Sequence, residues 1–246
     1  MNKKLIYFAT LISLVFLSGC VYSLRPIYTE STVRFEKSLL GRWQSEDGKT
    51  SITLENPHWE AKYQQATSLG NGSFRLKDGQ VITEESNFFA SIYLQDANKP
   101  DYTPPTDRKD SLDDGALSYF ITLTSKEGTF HYLGHLAQIG GSYYLDLTAD
   151  PLRNLQDNQV YRVSTPVHSF VKLNLQATDG AFSLTQFDLA RLRDLFDANR
   201  IRLRHEDVDG EVLITASSEE MQQFLKTYGE QADVYEGTER FVRIVD

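Results

Sequence analysis

The first twenty residues constrain this chain more than any other stretch. Lys3 and Lys4 make a short positive head, and residues 5–16 form an apolar run interrupted only by Thr10 and Ser13. Leu17, Ser18 and Gly19 then lead into Cys20, the single cysteine among 246 residues. A positive head, a short apolar core and a small-residue cleavage site are the parts of a secretory signal. The run is too short to cross a bilayer, which takes about 20 apolar residues. With one cysteine no internal disulfide can form, even in an oxidising compartment. Stability must then come from a packed core. The 40% hydrophobic content, with 13 Tyr and 14 Phe, is enough to build one.

Leu17-Ser18-Gly19-Cys20 resembles the lipobox of bacterial lipoproteins. The resemblance implies that Cys20 takes a diacylglyceryl group on sulfur, that the signal 1–19 is cut before it, and that the new amino group is acylated, for example with palmitate. Several acyl chains bury enough CH₂, at about 0.8 kcal/mol each, to hold a protein stably where one chain would not. The alternative is a buried structural thiol in an ordinary secreted protein. Val21 follows the cysteine, in place of the aspartate that retains many lipoproteins in the inner membrane. The expected location is therefore the cell envelope, and the outer membrane if the host has two.

Charge narrows the partners. Loss of Lys3 and Lys4 with the signal takes the formal charge from −9 to −11. Such acidity argues against nucleic acid and against broad adhesion to anionic lipid.

The pattern along the chain sets four segments: the signal 1–19, a tether 20–36, a β-rich part 37–165 and a ββα-ββα-β part 166–246. Residues 21–35 mix polar and apolar side chains around Pro26 without a period, as a tether would. Gly41-Arg42-Trp43 before a first strand resembles the opening of lipocalin-like barrels, which implies a tryptophan plugging the closed end of a barrel. Residues 58–66 read as a strand. Residues 74–77 and 80–83 flank Asp78-Gly79, a two-residue hairpin signal. Residues 99–115, with Pro100, Pro104 and Pro105 among charges, read as a polar loop. Strands are expected over 117–124, 129–139 and 142–148. They are apolar on both faces, as in a central sandwich strand or a barrel lining. Core packing accounts for that pattern, and a tyrosine-lined ligand cavity is the sharper alternative.

A thirty-residue period marks the last third. Val171-Lys172-Leu173-Asn174 aligns with Ile201-Arg202-Leu203-Arg204, Asp179-Gly180 with Asp209-Gly210, and Leu184-Thr185 with Ile214-Thr215. Each copy reads strand, turn, strand, helix. A first helix over 187–197 carries Leu189, Leu192 and Phe196 on one face. A second opens with Ser217 and Glu220 in a capping box, turns Met221, Phe224, Leu225 and Tyr228 inward, and stops at Gly229. A last strand over 240–245 ties down the end. Two such units predict one antiparallel sheet with both helices on one face. The fold class is α+β, mostly antiparallel β, with a barrel- or sandwich-like first part.

No catalytic motif emerges. His131 and His135 have HxxxH spacing, which chelates metal on a helix. Four residues along a strand span about 13 Å, too far for one ion. His168-Ser169 lacks a G-x-S-x-G elbow, and neighbours on a strand point to opposite faces. HExxH, P-loop and GxGxxG motifs are absent from the sequence. Asp110, Asp113 and Asp114 lack the alternate spacing of a calcium loop, since Leu112 takes a ligand position. No metal or cofactor is expected. Arg200, Arg202 and Arg204 share one face by period 2, with Arg191 and Arg193 just before them on a helix. This basic face could grip the phosphate or carboxylate of a lipid, glycan or envelope protein. The polar Lys172, Asn174 and Gln176 at the aligned positions also fit a merely solvated face. The sequence thus points to a lipid-anchored, non-enzymatic binding or accessory module. A lipocalin-like carrier of a small apolar ligand and an envelope hydrolase are the alternatives.

Overall fold

Alternation of buried and exposed residues begins directly after Cys20. The structure, a computed structural model, describes residues 21–60, 63, 65–83, 91, 94–95, 117–149, 167–175, 180–198, 200–208 and 211–244. The signal, Cys20, the loop 99–115 with Asp110, Asp113 and Asp114, and Gln176, Asp179, Asp209 and Gly210 lie outside these residues.

The strands are, in chain order, β1 (Tyr22–Ser23), β2 (Val33–Arg34), β3 (Gly41–Ser45), β4 (Ser51–Glu55), β5 (Thr67–Gly70), β6 (Ser73–Arg75), β7 (Val81–Ile82) and β8 (Ser118–Ser125). There follow β9 (Gly128–Ile139), β10 (Ser142–Ala149), β11 (His168–Leu175) and β12 (Phe182–Phe187). Helix α1 (Leu189–Asp197), β13 (His205–Val208), β14 (Glu211–Ile214), helix α2 (Ser218–Tyr228) and β15 (Tyr235–Arg243) complete the chain. The hydrogen-bonded order β10-β9-β8-β4-β3-β15-β12-β11 returns to its start through a β10–β11 pairing, so eight strands close a barrel. The fold is mostly antiparallel β with helices, in keeping with the expected class.

The chain divides into two compact units interleaved in sequence, rather than at one point near residue 165. The first comprises Met1–Thr32, Ala137–Asp146 and Pro166–Arg240. Its core joins Val21 and Ile27 to Ala137, Tyr144, Phe170 and Phe187 and to both helices. Helix α1 buries Leu192, Leu195 and Phe196, and its N-cap Asp188 accepts from the Arg191 N–H at 2.9 Å. Helix α2 buries Met221, Phe224 and Leu225, and Ser217 and Glu220 form the expected capping box. Each such side chain contributes about 1.5–3 kcal/mol by leaving water.

The second unit comprises Val33–Leu136, Leu147–Thr165 and Phe241–Asp246. Here β3, β4, β8 and β9 pair antiparallel, with Trp43 opposite Ile52, Ile52 opposite Leu123 and Leu123 opposite Phe130. A small sheet β5-β6-β7 has its own cluster, Tyr63, Phe74, Leu76, Ile82 and Leu94. Its hairpin turns at Asp78-Gly79, where Gly79 takes φ +90°, a left-handed value that glycine adopts without steric cost.

Three expectations are corrected. Residues 21–36 are not a free tether. Val21, Ile27 and Val33 are buried, and β1 is hydrogen-bonded on both sides, antiparallel to β11 and parallel to β14. The apolar residues that looked aperiodic are spent one by one on core positions. The described residues of the segment 58–66 do not form a strand. Turn bonds run from the Trp59 N–H to the Asn56 carbonyl and from the Tyr63 N–H to the Glu60 carbonyl, and Asn56 Oδ1 takes the His58 N–H at 2.9 Å. A short polar side chain has here offered the backbone a turn in place of a ladder. The expected order of strand, strand and helix occurs twice, as β11-β12-α1 and β13-β14-α2, but the thirty-residue register between the two copies is not kept. Residues 171–174 lie in β11, whereas 201–204 make no ladder and pairing starts only at His205 opposite Ile214. β12 lies between β11 and β15, while β14 lies between β1 and β13. Ile201 and Leu203 are buried against the helical core, and that alone produces the matching alternation.

Candidate functional site

The residue that stands out in the first unit is Asp146, a carboxylate fully withdrawn from solvent in the middle of β10. Its Oδ1 accepts from His168 Nδ1 on β11 at 2.7 Å, and its Oδ2 accepts from the Ile27 N–H at 2.9 Å. Burial pushes the Asp146 carboxyl above the usual carboxylate range, against the pull of the His168 hydrogen bond and charge and of the Ile27 N–H. Tyr28, the next residue along, is pushed up to about 12 by burial and then by the Asp146 charge.

A carboxylate–imidazole pair is two thirds of a hydrolytic triad, so the third member decides the chemistry. Ser169 is adjacent on the same strand and faces the other way. Ser23 sits opposite His168 in the β1–β11 register. Its hydroxyl is fully buried, donates to the Arg25 carbonyl at 2.8 Å and lies 3.1 Å from Met221 Sδ. That proton is committed to the backbone. The pair fastens the segment after β1 to the sheet through the Ile27 N–H. A second fastening is made by Gln222, whose Nε2 donates to the Ile27 carbonyl at 3.0 Å and to Thr32 Oγ1 at 3.2 Å.

The end of α2 carries a third polar knot. The Gly229 carbonyl accepts from the Tyr235 hydroxyl and from Lys172 Nζ, both at 2.7 Å, and from the Tyr144 hydroxyl at 3.4 Å. Burial pushes both phenols up. A cation and two hydroxyls on a helix C-terminus satisfy a carbonyl the helix leaves open. A Cβ on Gly229 would collide with the Tyr144 hydroxyl and the Leu225 carbonyl. The stop expected at Gly229 is therefore enforced by close approach; its φ of −66° is ordinary.

In the second unit the Gly41-x-Trp43 start acquires a physical reason. Trp43 is 2% exposed, and its Nε1 donates to the Leu39 carbonyl at 2.9 Å. The Arg243 guanidinium, at the end of β15, lies 4.2 Å from the Trp43 ring. It also donates to the Leu40 carbonyl at 2.8 Å and to the Ser38 carbonyl at 2.5 Å. Gly41 has φ +127°, and a Cβ there would sit 2.5 Å from Arg243 Nη1. Glycine thus makes room for a cation that stacks on the tryptophan two residues later.

The arginines of the proposed basic face are placed as follows. Arg200, Arg202 and Arg204 are exposed and alternate with buried Ile201 and Leu203. Arg204 pairs with Glu220 at 2.7 Å, an arrangement that holds the Glu220 carboxyl below its usual value. Arg191 pairs with Asp233 at 2.6 Å, and Arg193 is exposed on α1. Two of the five charges are thereby locally balanced, Arg191 by Asp233 and Arg204 by Glu220.

His131 and His135 lie on a strand, as the alternation predicts, and both are buried. Each meets a hydroxyl on β8: Thr122 Oγ1 stands 3.1 Å from His131 Nδ1, and Ser118 Oγ 2.9 Å from His135 Nε2. Among the described residues no three His, Cys, Asp or Glu side chains converge on one point. Asp146 and Arg243 escaped the sequence reading. A lone aspartate inside the apolar run Tyr143-Tyr144-Leu145-Asp146-Leu147 was a usable signal, because a charge in such a strand needs a partner. Arg243 carried no signal, being one of many surface-type charges near the end of the chain.

Compared with protein-family models, with curated proteins and with solved structures, the chain matches none.

Proposed function

We propose that this protein is a lipid-anchored lipoprotein of the cell envelope, acting as a non-enzymatic binding or accessory module. The observation that carries the reading is the lipobox ending at Cys20, one residue before the body begins at buried Val21. A signal cut at that cysteine would remove 1–19 and leave every described residue in the chain. The outer membrane is the proposed location in a host with two, since Val21 replaces the retaining aspartate. Replacing Cys20 with Ser tests the anchor. The mature protein should lose the mass of its acyl chains and leave the membrane fraction; unchanged mass and sedimentation would refute lipidation.

The binding surface proposed on the body is the arginine face. Arg200→Ser and Arg202→Ser together should abolish recovery of an envelope partner by crosslinking in membranes, with folding stability changed by no more than about 0.5 kcal/mol. Equal recovery from the variant would exclude this face.

A second reading, a lipocalin-like carrier, draws support from the closed ring of eight strands and from the Gly41-x-Trp43 start beneath Arg243. Fold alone does not license function. A fluorescent fatty acid added to the delipidated body should brighten on binding and be displaced by unlabelled oleate. Absence of saturable binding would remove the carrier reading and leave the anchor reading standing.

A further inference from the structure

We propose that the sheet rim at which β1 and β14 begin and β13 ends rests on the bilayer surface, with Val208 as its apolar contact; this inference builds on the lipoprotein reading above. The rim is fixed by register. β1 and β14 are parallel, with Tyr22 opposite Leu213, so the two strands start at the same edge. β13 and β14 are antiparallel, and their last pair is Val208 with Glu211, which brings the end of β13 to that edge too. Two strand spacings separate β1 from β13, about 10 Å.

The absence of slack in the described segment gives this edge its meaning. Val21 is 3% exposed and belongs to the helical core, and Tyr22 and Ser23 are paired on both sides. Neighbouring Cα atoms stand about 3.8 Å apart. A lipid-bearing residue immediately before Val21 therefore holds this edge against the membrane, with no linker to lift it.

Val208 is 49% exposed, the most exposed large hydrophobic side chain among the described residues. One exposed valine is ordinary on any surface. Its place at the anchored edge is what singles it out, since the remaining residues of β13, His205, Glu206 and Asp207, are exposed and polar. The acidic pair Glu206 and Asp207 also selects the kind of surface. Carboxylates beside the contact are repelled by anionic headgroups, so the rim suits a zwitterionic lipid face.

The mature lipoprotein offers a direct test. Lipid blocks the sulfur of Cys20, so Val208→Cys introduces a sole free thiol, which can carry a nitrobenzoxadiazole label. In phosphatidylcholine–phosphatidylethanolamine vesicles the label should shift to the blue and brighten. The same label at Leu24→Cys, on the exposed Leu24 whose N–H bonds to the Ile214 carbonyl at the other end of β14, should keep its aqueous emission. Added phosphatidylglycerol should reduce the shift at position 208. Aqueous emission at position 208 in protein that floats with the vesicles would overturn the inference, as would equal shifts at both positions. Failure of the unlabelled protein to float would instead refute the lipoprotein reading on which the inference rests.

Discussion

Asp146 and Arg243 do the same job in the two units under opposite conditions. Each is one charged side chain that closes backbone groups far away in sequence: Asp146 the Ile27 N–H, Arg243 the carbonyls of Ser38 and Leu40. Asp146 is shut off from solvent, whereas Arg243 is exposed and lies over a ring. A buried charge is costly unless its partners are exact in number, and removal of one strands the others. A surface guanidinium keeps its hydration on one side and gains only what stacking and hydrogen bonds add to it. One arrangement is brittle and the other graded.

Four substitutions would break or sharpen that contrast. Trp43→Ala removes the platform under Arg243 and opens a buried cavity, and should cost about 3–5 kcal/mol in urea unfolding. A loss below 1 kcal/mol would show that the second unit does not depend on this ring. Asp146→Ala leaves the Ile27 N–H and His168 Nδ1 without their acceptor and should cost about 1–3 kcal/mol. Hydrogen exchange at Ile27 should accelerate in that variant, and an unchanged rate would show that Gln222 alone holds the segment. Arg243→Ala, at the exposed site, should cost only about 1 kcal/mol. A loss as large as that of Asp146→Ala would erase the distinction between the two.

The fourth is a matter of pH. Because burial raises the Asp146 carboxyl in the folded state, the fold binds that proton more tightly than the unfolded chain does. Its contribution to stability is complete below the usual carboxylate value and is lost as pH rises through the higher folded value. Asp146→Asn keeps the shape and an acceptor for Ile27 without the titration. The variant should therefore gain on the native protein as pH rises through that window, and unfolding curves in acid and at neutral pH would reveal it. A gain in the opposite direction would mean that His168 stabilises the carboxylate by more than burial penalises it.

What could be read in the sequence follows from which interactions are local. The capping box of α2, the Asp78-Gly79 hairpin and the strands β8 to β10 depend on neighbours within a few residues, and they were legible. The embedding of residues 21–36 was not, because β1 is two residues long and has no period of its own. Its pairing is decided by Ser169 and Leu213, far along the chain. The thirty-residue alignment misplaced only the first strand of the second copy, for a related reason. Buried Ile201 and Leu203 copy the alternation of a strand, while the ladder that would make them one starts a residue later. Of the polar clusters, His168 was noticed and its partner missed, since nothing local ties position 146 to position 168. The arginine face was visible as a period, but the acids that neutralise Arg191 and Arg204 come from Asp233 and Glu220.

The pairing of β1 with β11 and β14, and of β15 with β3, has a consequence for the order in which the protein can be made. Tyr22 waits for Leu213 to be synthesised, and Trp43 waits for Arg243. Contacts of such long sequence separation slow the search for the native state. Folding cannot finish before nearly the whole polypeptide has left the ribosome. A chain so arranged keeps its first strands open until its last ones are made, and a premature stop before Leu213 would leave its beginning without a place to dock.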